Sequence, residues 1–90
     1  LDARAYDAAE VKLATCVRLL PIWIPARFTL GAVLAAQGKL VEAETQFKFA
    51  RDLEPRQPEG HIELGIYYLT VGRRPDDGVA ALREAIALAP

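Results

Sequence analysis

Ninety residues at 9.9 kDa make one small domain and leave no room for two independent cores. The chain is 52% hydrophobic and 26% charged, a globular rather than a disordered composition. Eleven Lys+Arg against twelve Asp+Glu argue against the basic excess of a nucleic-acid binder or a peripheral membrane anchor. Ser, Asn and Met are absent, and Cys and His occur once each. A Ser nucleophile, N-glycosylation and a Cys/His metal cage therefore lack their residues, and no catalytic, cofactor or metal site is expected. The longest apolar stretches, 19–26 and 28–36, are about half the roughly 20 residues that a spanning helix needs, so no membrane insertion is expected. A single Cys leans towards a reducing, cytoplasmic compartment and leaves a periplasmic one open. The absence of an initiating Met makes the chain read as a piece of a longer protein.

Helix is favoured throughout, because Ala (16) and Leu (12) dominate and no period-2 alternation persists. The spacing predicts a first helix over 6–20, opened by a capping-box-like Asp7 and Glu10. An apolar connector follows, Pro21-Ile22-Trp23-Ile24-Pro25, in which Trp23 is expected to pack across the junction; the sharper alternative is an exposed anchor for a partner. Pro25 opens a second helix over 25–37, and Gly38 sits just past its end, where a left-handed residue is usual. A third helix covers 41–53 and stops before Pro55. Pro58 opens a fourth, 58–71, closed by Gly72, and a fifth covers 76–88 with Pro90 beyond it.

These helices repeat. Leu30-Gly31 returns as Leu64-Gly65, Leu34 as Tyr68 and Gly38 as Gly72, always 34 apart. Ala9, Ala43 and Gly78, then Leu13, Phe47 and Leu82, then Cys16, Ala50 and Ala85, and finally Pro21, Pro55 and Pro90, step first by 34 and then by 35. One inserted residue between Gly72 and Gly78 accounts for every 35 at once. Ala43, Phe47 and Ala50 share a helical face, while Gly31 and Gly65 let a neighbouring backbone come close, with Phe47 or Leu82 filling the space beside each. A mid-helix Gly costs about 1 kcal/mol against Ala, so two at repeat spacing point to close packing.

A Leu-Gly pair, a large residue three on, a turn Gly, then Ala, a large apolar residue, Ala and Pro on a 34-residue period resembles the tetratricopeptide repeat. The departures are Arg27 and His61 at a position usually held by Trp or another large residue, Gly78 for the first Ala, and an irregular turn at Pro75. The resemblance implies an all-α fold of about five helices, antiparallel helix-turn-helix repeats stacked as a right-handed superhelix. It divides the single domain 1–90 into a half repeat 1–23, a repeat 24–57 and a repeat 58–90. It also implies a concave groove lined by Phe28, Ala32, Ala35 and Ala36 from the first repeat and by Glu59, Ile62, Ile66, Leu69 and Thr70 from the second. Ile62, Ile66 and Leu69 form an aliphatic stripe there. The carboxylate clamp that family members use on a partner's C-terminus is not expected, since the chain has no Asn and these positions hold no Lys.

The implied function is a non-enzymatic module that binds a protein or peptide partner in a mainly apolar groove. The alternative is an accessory segment of a larger enzyme or of a secretion or assembly machine, its apolar face covered by another helix or another copy. Repeat arrays need about three repeats and polar caps, so the unsealed ends predict self-association. RNA reading by related 35-residue repeats is disfavoured, since the registers start at 34 and the chain lacks basic excess. His61 has no nucleophile or second ligand near it and reads as a packing residue, Cys16 as a buried inert thiol, and the charged turn from Arg73 to Asp77 as solvated surface.

Overall fold

A computed structural model describes residues 2–89. Five helices and no strand occur among them: α1 (Ala3–Leu19), α2 (Ile24–Ala36), α3 (Leu40–Leu53), α4 (Pro58–Leu69) and α5 (Pro75–Leu88). Prolines at the first turns of α2, α4 and α5 start those helices where a missing N–H leaves nothing unpaired. Pro90 lies outside the described residues. α1 begins three residues earlier than its apolar pattern suggests, because Asp2 caps it, its carboxylate accepting from the Ala5 amide at 3.0 Å. The expected capping pair serves instead to tie α1 to the end of α2. The Gln37 amide donates to Asp7 at 2.8 Å, and Lys39 pairs with Glu10 at 2.7 Å.

Each helix packs chiefly on its neighbours in sequence, α1 on α2, α2 on α3, α3 on α4 and α4 on α5. The core lies where α2, α3 and α4 meet and contains Leu30, Leu34, Ala43, Phe47, Leu64, Tyr67 and Tyr68. Small residues set these distances. A methyl added at Gly31 would stand 2.9 Å from the Phe47 ring, and one at Gly65 would stand 2.8 Å from Leu82. Both glycines therefore face the bulky partner expected of them. The departure at Gly78 has its reason here too: a Cβ would meet Leu69 at 2.7 Å and the Gly65 carbonyl at 3.1 Å, so Ala does not fit.

The inserted residue is visible in the two equivalent turns. After α2, Gly38 takes φ +79° and the Lys39 amide donates to the Leu34 carbonyl at 2.9 Å. After α4, it is the amide of Arg74 that reaches the Tyr68 carbonyl, also at 2.9 Å. Leu34 and Tyr68 are equivalent positions, so the same closing bond spans one residue more. The extra residue is absorbed by Arg73 at φ 54°, and this non-glycine, rather than Gly72, takes the left-handed conformation. Gly72 is required for a different reason: a Cβ there would sit 3.0 Å from the Tyr67 ring.

Candidate binding groove

Two clefts run along one side of the molecule, both walled by α2 and α4 and floored by α3. The first, about 360 Å³, is bordered by Pro25 and Phe28 from α2, Ala50 from α3, and Glu54, Gln57 and Glu59 around the start of α4. The second, about 250 Å³, lies one turn further along α2 at Ala32, Ala35 and Ala36, over Phe47, and is closed by Glu63, Ile66, Tyr67 and Thr70. The spacing explains the shared wall. Residues 28, 32, 35 and 36 of α2 fall on one face, as do 59, 63, 66 and 70 of α4. Small alanines on α2 leave the space open, and α2 and α4 each rest on α3 rather than on each other.

Of the residues expected to line a groove, Phe28, Ala32, Ala35, Ala36, Glu59, Ile66 and Thr70 border these two clefts. Ile62 and Leu69 do not. They stand roughly 70–90° round α4 from the middle of that wall. Ile62 borders a separate apolar cleft of about 290 Å³ with Leu82 and Ile86 of α5, and Leu69 packs on the α5 backbone at Gly78. The single aliphatic stripe is therefore two faces serving two surfaces.

Two features of the groove escaped the sequence reading. Tyr67 forms part of its wall while its ring packs on Phe47, 5.4 Å between centroids, and its hydroxyl donates to the Leu40 carbonyl at 3.0 Å. Burial pushes this phenol's pKa up, so it stays a neutral donor. The second feature is charge: Glu54 and Glu59 border the first cleft, Glu63 borders the second and no Lys or Arg lines either, so the α4 side of the groove is acidic along both clefts and the α2 side apolar.

A polar network on the opposite side fixes the walls. Glu44 on α3 accepts from Arg74 at 2.8 Å, Lys48 at 2.7 Å and the Tyr68 hydroxyl at 3.1 Å, joining α3 to α4 and to the turn before α5. Burial pushes the Glu44 carboxyl up, but Lys48, Tyr68 and Arg74 outweigh it and leave the pKa lowered. The Arg74 guanidinium lies over the Tyr68 ring, 4.7 Å from its centroid, and also pairs with Asp77 at 2.8 Å. The charged turn is thus a structural brace and not merely a solvated surface.

Arg27 and His61 also have a shared task. Arg27 donates from Nε and Nη2 to the Pro21 carbonyl at 3.1 and 2.9 Å, bonds Gln46 at 3.1 Å and lies over Phe49. One repeat later, Nε2 of His61 is 2.9 Å from the carbonyl of Pro55. Each holds the proline turn six residues behind it. Among the described residues no group of three or more His, Cys, Asp or Glu could hold a metal ion. Nor is any helix long and apolar enough to cross a membrane. Cys16 is only partly buried.

Stacked antiparallel helices with a groove on one side define an all-α, tetratricopeptide-like fold. It is shared with MamA, a tetratricopeptide-repeat protein. MamA from MSR-1 superposes with a TM-score of 0.79 at 27% identity over 93% of this chain and 48% of that one. For MamA from AMB-1 the TM-score is 0.79 at 28% identity, over 94% of this chain and 50% of that one. The chain thus spans about half the length of the MamA structures it matches. No family model matches the chain, and no curated protein matches it in sequence.

Proposed function

We propose that this chain is a non-enzymatic protein-interaction module, a single repeat domain whose α2–α4 groove takes an apolar segment of a protein partner. One observation carries the reading: two side-chain-sized clefts lie in line between an apolar α2 wall and an α4 wall that carries Glu59 and Glu63. Clefts of about 250 and 360 Å³ suit a few anchoring side chains of a peptide, as in helix-in-groove recognition. Glu54, Glu59 and Glu63 set the partner's charge: its segment carries Lys or Arg on the face lying along α4 and aliphatic anchors over Ala32, Ala36 and Ile66. The test is calorimetric titration with amphipathic 15-residue Leu/Lys and Leu/Glu peptides. Binding of the Leu/Lys peptide, lost in Ile66→Asp with helix content retained, supports the groove. Equal binding by Ile66→Asp, or preference for the Leu/Glu peptide, contradicts it.

A second reading rests on a different surface. The cleft bordered by Pro58, Ile62, Leu82, Ala85, Ile86 and Ala89 is apolar throughout and lies at the α5 end of the stack. In this reading the chain is an accessory segment of a larger assembly, and another helix or another copy covers that face. Sedimentation across concentration separates the two: self-association abolished by Ile86→Glu favours the covered face, and a monomer at all concentrations favours the free module.

A further inference from the structure

The first cleft of the groove differs in composition from its counterpart one repeat later. Half-buried Phe28 borders it from α2 together with Pro25, Ala50 borders it from α3, and Glu54 and Glu59 complete the border from the α3–α4 turn and α4. Thirty-four or thirty-five positions on, Phe28 becomes Ile62, Ala50 becomes Ala85 and Glu54 becomes Ala89, and the cleft that these border carries no charged residue. Packing between helices therefore requires neither a ring at position 28 nor a carboxylate at position 54.

Both features are left without a partner. Among the described residues the Phe28 ring meets no second ring and no guanidinium, whereas Arg27 lies over Phe49 at 3.9 Å and Arg74 over Tyr68 at 4.7 Å. Neither Glu54 nor Glu59 enters an ion pair among them, whereas Glu10, Glu44, Asp52 and Asp77 do. Arg56, in the same turn, pairs with neither carboxylate and does not border the cleft. Glu59 stands in the first turn of α4, where the helix dipole favours an anion, but Glu54 caps the C-terminus of α3, where the dipole opposes one. Glu54 is thus a charge that folding does not ask for. An aromatic face with two unpaired carboxylates, in a cleft of about 360 Å³, complements a planar cation on an apolar stem. Arginine has that shape: methylenes for Pro25 and Ala50, a guanidinium face for Phe28 and a fork of N–H donors for the carboxylates. The lysine ammonium is a compact charge with no plane to stack.

We infer, resting on the groove reading above, that the first cleft seats one arginine side chain of the protein partner, its guanidinium on Phe28 and within reach of Glu54 and Glu59. The clefts lie about two helical turns apart from centre to centre, about 11 Å, so on a helical partner the aliphatic anchor over Ala32 and Ala36 stands about seven residues from that arginine. Calorimetric titration of the whole chain with the amphipathic Leu/Lys peptide, its lysines replaced one at a time by Arg and by citrulline, tests this. The expected result is one position, about seven residues from an anchoring leucine, at which Arg binds about five-fold tighter than Lys and citrulline binds weaker than either. Phe28→Ile with Glu54→Ala installs the residues of the next repeat, and should keep helix content while bringing Arg and Lys within about two-fold of each other. Should that double variant lose helicity, Glu54→Gln on an exposed side chain reads the same discrimination: Arg affinity falls about three-fold and citrulline affinity holds. Equal binding of the Arg, Lys and citrulline forms at every position, still lost in Ile66→Asp, leaves the groove in place and overturns the arginine seat. An Arg preference that survives in the folded double variant, or in Glu54→Gln undiminished, overturns it too. Absence of binding by every peptide overturns the groove and this inference with it.

Discussion

Gly60→Ala is the sharpest test of how the hairpins stack. Gly60 is buried in the first turn of α4, and a Cβ there would lie 2.5 Å from the Cα of Arg51 and 3.1 Å from its amide nitrogen. At Gly31 and Gly65 the obstacle is a side chain, but here it is the α3 backbone, which yields only if α3 and α4 separate. Ordinary van der Waals contact begins near 3.4 Å, so the helices must part by nearly 1 Å at this point. The equivalent residue one repeat earlier is Ala26, buried at 3%, so the same position accepts a methyl where α1 meets α2. Replacing Gly by Ala in a helix gains up to about 1 kcal/mol in propensity, less near an N-terminus. Forcing an extra carbon into close-packed structure costs about 1–3 kcal/mol. The repulsion wins, leaving a net loss of about 1–2 kcal/mol, and a domain of this size loses about 4–8 °C of Tm per kcal/mol. Thermal and urea unfolding followed by circular dichroism measure both. A variant as stable as the wild type, or more so, would refute close approach of α3 and α4 as the basis of stacking.

Other outcomes follow from the same contacts. Tyr67→Phe removes the bond to the Leu40 carbonyl from a buried wall of the groove and should cost about 1 kcal/mol in urea unfolding with helix content unchanged. Arg27→Ala should cost about 1–2 kcal/mol by the same assay and His61→Ala less, since Arg27 makes bonds to Pro21 and Gln46 and stacks on Phe49 while His61 makes one bond to Pro55. Glu44 predicts a pH dependence: a carboxyl held below its ordinary value of 4.5 adds stability that is full well above that value and is lost as pH falls through the lowered pKa. Urea midpoints should therefore decline from about pH 5 to pH 3 more steeply in the wild type than in Glu44→Gln; identical slopes would contradict the brace.

The fold was legible because the evidence for it recurs along the chain. Gly31 and Gly65, and Phe47 and Leu82, announce the same packing twice, and the block shift from 34 to 35 locates an insertion that the structure resolves at Arg73. What repetition does not encode was missed. Gly60 has Ala26 as its counterpart, and Tyr67 has Val33, so neither stands out in a periodic alignment. Ile62, Ile66 and Leu69 look alike at helical spacing, but one stripe about 100° wide cannot say whether α2 or α5 borders each residue. Trp23 was misplaced for another reason. Aromatic area ordinarily favours burial, yet in the two-proline turn Trp23 stays 51% exposed.

Nuclear magnetic resonance titration of the isotope-labelled chain with the amphipathic Leu/Lys peptide puts the groove to its most direct test. Amide shifts should concentrate at Ala32, Ala35, Ala36, Glu63, Ile66 and Thr70, the two facing walls, while Val79, Arg83 and Ile86 on the far helix stay in place. Shifts confined to α5, or spread evenly over the surface, would mean that the space between α2 and α4 is not where a partner sits.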